Sequence, residues 1–197
     1  MKAKTAAIYL DNSSDYAKGL AKYFEEEFVK SGGTVVTKEA YLQKDTDFKS
    51  TLTKMKASNP DVIYVPGYYQ EVSMIIKQAR ELGMNQPMLG GDGWDSPKLA
   101  EVAGAAALEN TYMSNHYASG DSDPKVKAFE EKYQKKYGAK PEAFAALGYD
   151  SFYILVDAIK RAGGTYGDKV SEALAKAKDL DLVTGKFSFD EKHNPIK

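Results

Sequence analysis

The sequence predicts an α/β fold: a doubly wound parallel sheet of five strands, ordered 2-1-3-4-5, with extra helices after it. Three observations carry that reading. Asp61–Ser96 (DVIYVPGYYQEVSMIIKQARELGMNQPMLGGDGWDS) runs strand, helix, strand, which implies a parallel pair with the helix crossing one face. The same alternation recurs from Thr5 to Ser114. Beyond that point three amphipathic helices follow one another.

Each element has its own signal. Thr5–Leu10 is an apolar first strand, and Asp11–Asp15 (DNSSD) is a polar loop that ends in helix-capping residues. Tyr16, Leu20, Phe24 and Phe28 then mark one helical face, which stops at Gly32-Gly33. Thr34–Lys38 reads as the second strand. Phe48, Leu52 and Met55 mark the second helix, capped by Asp45, Thr46 or Asp47 and ended by Asn59-Pro60. Asp61–Val65 is the third strand, broken by Pro66-Gly67. Val72, Ile75, Ile76, Ala79 and Leu82 form the face of the third helix, which Gly83 ends. Pro87–Leu89 opens the fourth strand, a short helix covers Pro97–Ala103, and Asn110–Ser114 is the fifth strand.

The later helices open at Asp123-Pro124, at Pro141 and near Asp168. Their apolar positions are Val126, Phe129, Tyr133 and Tyr137; then Leu147, Phe152, Leu155, Val156 and Ile159; then Val170 and Leu174. After them only Gly185–Phe189 reads as a strand, so the helices are expected to have no sheet of their own. This divides the chain into an α/β ligand-binding lobe at 1–120, a helical segment at 121–180, and a returning strand or hairpin with a tail at 181–197.

Composition removes several classes of function. Lys and Arg number 27 against 28 Asp and Glu, a net charge of −1, so no basic surface for nucleic acid or anionic lipid is implied. No segment has the length and apolarity of a membrane span. Met1–Lys4 leads straight into a strand without the apolar core of a signal peptide. With no cysteine there is no disulfide, thiolate metal site or Cys nucleophile. The histidines, His116 and His193, lack partners at metal-ligand spacing, and His193 falls in a turn at Asp190–Pro195. Fourteen tyrosines are an excess that suits a lined surface as well as a core.

Ligands of open α/β sheets bind along the carboxyl edge. Three loops meet there: Asp11–Tyr16, Gly67–Tyr69 and Gly91–Trp94. Asp92 brings a negative charge and Tyr68 a hydroxyl on an aromatic body, a pair suited to an ammonium group. The plainer alternative makes Asp92 a turn residue and the tyrosines packing. DNSSD could hold Mg²⁺ or phosphate, but it lacks the glycines and lysine of a phosphate loop, and helix capping explains it better. No Ser-His-Asp order or paired carboxylates emerge, and GYDS around Asp150 lies within a helix. The chain is therefore not read as an enzyme.

Several segments together resemble the leucine/isoleucine/valine-type solute-binding proteins of bacterial ABC importers, which have a type I periplasmic binding fold. They are Asp15–Leu20, Asp45–Lys54 (DTDFKSTLTK), Pro60–Tyr69 (PDVIYVPGYY), Ile76–Gly83 (IKQARELG), Gly90–Trp94 (GGDGW), Ala146–Asp150 (ALGYD) and Val183–Asp190 (VTGKFSFD). The likeness follows the family's order over nearly the whole chain. It implies a periplasmic substrate-binding component that binds a small, branched-chain or hydrophobic amino acid between two lobes, uses no cofactor, and docks on an ABC permease. It also implies that Tyr68 and Asp92 receive the ligand's ammonium group, that Tyr16 lines the cleft, and that Trp94 and Phe144 stand nearby. Asp92 is shorter than the glutamate of some relatives.

The same resemblance implies a truncated or engineered half, starting at the second lobe and lacking the groups that clamp the ligand's carboxylate. The late helices are those that pack on the first lobe in the family. Left alone they would fold back or be exchanged between copies, giving a homodimer. The competing functions are a ligand-free fragment and a flavodoxin-like lobe that binds phosphate or FMN.

Overall fold

The computed structural model describes residues 2–197. It divides into two units, the first ending at Asn115 and the second spanning His116–Lys197. The first unit is a five-stranded parallel sheet in the order β2-β1-β3-β4-β5. The strands are β1 (Thr5–Asp11), β2 (Thr34–Tyr41), β3 (Val62–Tyr64), β4 (Met88–Gly90) and β5 (Thr111–Met113), and four helices connect them: α1 (Asp15–Lys30), α2 (Lys49–Ala57), α3 (Tyr69–Glu81) and α4 (Pro97–Ala103). The expected strand order is the observed one.

Side chains alternate across the sheet because the strand period is two. Ala7, Tyr9, Ile63, Val65 and Met88 pack with Leu52 and Met55 of α2 and with Val72, Ile75, Ile76 and Ala79 of α3. Ile8, Leu10 and Tyr64 face the other way, against Leu20, Ala21 and Phe24 of α1. Both faces of β1 are thus covered, and its sequence reads as an unbroken apolar run. β2 extends three residues past the expected Lys38, since Glu39, Ala40 and Tyr41 still pair with Tyr9, Leu10 and Asp11. It is an edge strand with one face in solvent, so polar residues carry the pairing on.

The start of α2 is held by one of the expected residues: Lys49 N–H donates to Asp47 Oδ1 at 3.1 Å. The cap position itself is Phe48, whose side chain makes no capping bond. Gln78 of α3 adds a long-range brace: Phe48 N–H donates to Gln78 Oε1 at 2.8 Å, and Gln78 Nε2 donates to the Thr46 carbonyl at 2.8 Å. A second long-range clamp comes from Arg80, whose guanidinium donates to the carbonyls of Met84, Gln86, Ala107 and Glu109. It ties the end of α3 to the segments that lead into β4 and β5.

The second unit contains α5 (Pro124–Tyr137), α6 (Ala143–Ala162) and α7 (Gly167–Ala175), but it also has a sheet. β6 (Leu180–Leu182), β7 (Gly185–Phe189) and β8 (Pro195–Ile196) pair antiparallel in that order. The expectation of sheetless helices is therefore wrong. β7 is the expected strand, whereas β6 and β8 have no apolar run of their own and exist through hairpin pairing with it. Phe152 and Leu155, two of the apolar positions read from the sequence, are not covered by the chain itself. α6 buries Ala143, Ala146, Asp150 and Ala158, while Phe152 and Leu155 stand exposed. Asp150 explains the orientation, because its carboxylate accepts Val183 N–H at 3.0 Å, Thr184 N–H at 2.9 Å and the Thr184 hydroxyl at 2.7 Å. Only with that face inward does the buried charge find the β6–β7 turn.

Candidate functional site at the carboxyl edge

Three loops leave the carboxyl ends of β1, β3 and β4 in the first unit. After β1 the backbone turns through Asp11–Ser14. Ser14 caps α1 by accepting Ala17 N–H at 3.3 Å. Asp11 is wholly buried and accepts Ser13 N–H, the Ser13 hydroxyl and Gln43 Nε2. The loop is thus a capping turn braced by a buried carboxylate, whose charge disfavours a phosphate there.

Tyr16 stands in the first turn of α1, half-buried. Its hydroxyl donates to Asp92 Oδ1 at 2.7 Å and accepts Gly93 N–H at 3.1 Å. Its ring stacks on that of Tyr68, with centroids 5.2 Å apart and planes 26° from parallel. Tyr68 is the residue before α3, in extended conformation. Asp92 opens a single 3₁₀ turn, Asp92–Trp94, immediately after β4. Residues 76 positions apart in sequence therefore meet because parallel strands bring their ends to one edge.

Close approach of the loops depends on glycine. A Cβ on Gly93 would lie 2.5 Å from the Gly67 carbonyl oxygen, and one on Gly67 would lie 2.0 Å from the Tyr41 hydroxyl. Burial is the main cause of the tyrosine shifts here. It drives the Tyr16 hydroxyl well above the ordinary tyrosine value, reinforced by the hydrogen bond to Asp92. Tyr64, beneath the same carboxylate, is pushed up to about 12 by burial and then by the charge of Asp92. Both hydroxyls stay protonated at neutral pH, and that of Tyr16 donates to the carboxylate.

The structure brings Tyr16, Tyr68 and Asp92 together. Trp94 is different: only 1 % exposed, it lies in the core and donates its indole N–H to the Val65 carbonyl at 3.0 Å. Its ring occupies the space where a Cβ on Gly90 would sit, 2.0 Å from Cε2. It pins the Asp92 turn from beneath. Phe144 belongs to the second unit, exposed in the first turn of α6. His193 sits in the β7–β8 turn with positive φ, where its N–H donates to the Asp190 carbonyl. Sequence reasoning missed Asp11 and Gln43 as braces of the first loop. Their signal was an acidic residue closing an otherwise apolar strand. Among the described residues no three His, Cys, Asp or Glu side chains are grouped to hold a metal ion, and no helix is long and apolar enough to cross a membrane.

Comparison with known proteins gives one consistent answer. The periplasmic binding protein family matches residues 1–197. A leucine-, isoleucine-, valine-, threonine- and alanine-binding protein of Pseudomonas aeruginosa is 27% identical over 191 residues, covering 97% of this chain and 50% of that protein. The crystal structure of a leucine binding protein from Thermotoga maritima superposes with a TM-score of 0.90 at 38% identity, over 99% of this chain and 55% of that one. The substrate-binding protein of a Streptococcus pneumoniae branched-chain amino acid transporter, solved in complex with isoleucine, gives 0.85 at 41% identity, over 99% and 55%. The chain spans about half the length of the curated relatives it matches.

Proposed function

Because this chain belongs to the periplasmic binding protein family, we propose that it carries the ammonium-receiving side of a binding site for a small hydrophobic amino acid. In this reading it is part of the substrate-binding component of an amino-acid ABC transporter. It acts in the periplasm, delivers ligand to a permease, and performs no chemistry. The observation that carries the reading is the convergence of Tyr16, Tyr68 and Asp92 from three loops on one sheet edge. A carboxylate beside an aromatic ring meets an ammonium group with a charge-assisted hydrogen bond and a π-face. The relatives' names, one specifying leucine, isoleucine, valine, threonine and alanine and the other branched-chain amino acids, suggest the ligand class.

Calorimetric titration with leucine, isoleucine and valine tests this. Saturable heat is expected for at least one of them, absent for the same compound without its amino group and lost in Asp92→Ala. A folded protein that gives no saturable heat, or binds the deaminated analogue equally well, would overturn the reading.

A second reading concerns self-association. Phe152, Tyr153 and Leu155 stand exposed in a row on α6, an apolar surface of the kind that associates. Exchange or docking of helices between copies would cover them. A light-scattering mass that doubles with concentration supports it, and a constant monomer mass excludes it.

A further inference from the structure

We propose that Asp11, Glu71 and the Tyr41 hydroxyl form a binding site for a hard divalent cation of the Ca²⁺ kind, where β1, β2 and α3 meet. The inference is independent of the amino-acid reading. Both carboxylates are buried, Asp11 wholly and Glu71 to within 6 % of full cover. One turn joins them: Gln43 Nε2 donates to Asp11 Oδ2 at 3.2 Å, and Lys44 N–H donates to Glu71 Oε1 at 2.8 Å. Asp11 N–H also reaches the Pro66 carbonyl, just ahead of the helix whose first turn carries Glu71. Every donor to the two acids is neutral, namely Ser13, Gln43 and the Lys44 backbone. Among the described residues neither acid has a Lys, Arg or His partner. A buried carboxylate calls for a counter-charge or a metal.

Tyr41 is the second, independent sign. Its ring packs edge-on against Tyr9 and Phe48, and its hydroxyl lies against Gly67, in the bend that Pro66 begins. The side chain is 3 % exposed, yet the hydroxyl has no hydrogen-bond partner. Burial raises its pKa most, and the charges of Asp11 and Glu71 follow, so both acids bear on this oxygen. An orphaned phenol oxygen is costly alone, but beside two carboxylates its lone pairs are a third hard ligand. All-oxygen donors select hard cations. Two negative charges balance one divalent ion. Donors from three separate elements suit the flexible coordination of Ca²⁺ better than the strict octahedron of Mg²⁺.

The test is calorimetric titration of CaCl₂ into protein stripped with a chelator, beside urea midpoints read by Trp94 in CaCl₂ and in KCl of equal ionic strength. One saturable event is expected, with the higher midpoint in CaCl₂, because an ion that binds only the folded state stabilises it. Glu71→Gln keeps an acceptor for Lys44 N–H but removes a charge, and should weaken Ca²⁺ binding by about tenfold or more. Tyr41→Phe should also weaken it and shrink the gap between the two salts. This variant gives up no hydrogen bond, so it decides the matter even where Glu71→Gln does not fold. No saturable heat, equal midpoints in the two salts, or Ca²⁺ binding unchanged in Tyr41→Phe would overturn the proposal. A Tyr41→Phe midpoint raised equally in both salts would also overturn it, leaving the hydroxyl as an unsatisfied group and nothing more.

Discussion

In the first unit the fully buried side chains are large: Trp94, Phe48, Ile8, Ile63, Met84 and Met88 among them. In the second unit many of the most buried residues are alanines, at 143, 146, 158, 173 and 177, whereas Phe152, Tyr153, Leu155 and Tyr166 face solvent. Both units contain apolar residues at helical spacing, so spacing alone does not tell a covered face from a bare one. Coverage does. Two helical layers enclose the five-stranded sheet, while α6 turns its small side chains and Asp150 inward and leaves its large ones out. An apolar cavity of about 710 Å³ lined by Leu147, Ile154, Leu155, Leu174, Phe187 and Phe189 belongs to the same unit.

Four substitutions would break or sharpen this contrast. The single tryptophan lies in the first unit, so its fluorescence follows that unit alone, while the helical circular dichroism follows both. The largest effect is expected at Ile63, fully buried mid-sheet. Ile63→Ala should cost about 3–4 kcal/mol in urea unfolding read by Trp94, as lost burial plus a cavity. Asp150→Ala removes the acceptor of three hydrogen bonds and should destabilise the second unit by about 2–3 kcal/mol. That loss should appear in the helical dichroism as a lower urea midpoint; an unchanged midpoint would mean that the three hydrogen bonds contribute little.

Tyr64 gives a smaller, pH-dependent effect. Its folded pKa is raised to about 12, against about 10 when unfolded. Its contribution to stability is therefore fully present below pH 10 and is lost as pH rises from there through 12. Tyr64→Phe should flatten the fall of the Trp94-monitored urea midpoint over that window and leave it nearly unchanged at pH 7. The smallest effect on stability is expected from Phe152→Ser, within about 0.5 kcal/mol, because the ring is exposed. The same variant should lower self-association by light scattering; a loss of 2 kcal/mol would mean that the ring is covered after all.

Much of the first unit was legible in the sequence because each long element has its own period and its own stop: Gly32-Gly33, Asn59-Pro60, Gly83. The sheet order followed from the doubly wound pattern that regular strand-helix alternation implies. The three edge loops were legible for the same reason, since topology alone names them. Trp94 shows the limit. A tryptophan in a loop suggests an exposed aromatic, and only the glycine at position 90 hinted that the ring folds back onto the strand. Asp150 shows another: a carboxylate in the small-residue stripe of α6 was a readable sign of a buried partner. That partner lies 33 and 34 residues away, in a turn marked only by Gly185. β6 and β8 were too short to carry any pattern.

The bracing of α2 by Gln78 sets a schedule as well as a structure. The donor and acceptor are 30 residues apart, so at about 5–20 residues per second on the ribosome the helix's sequence emerges some seconds before its brace. A nine-residue helix is marginal without outside help. Until α3 has been made and docked, residues 49–57 have Asp47 at their start but not the brace from Gln78.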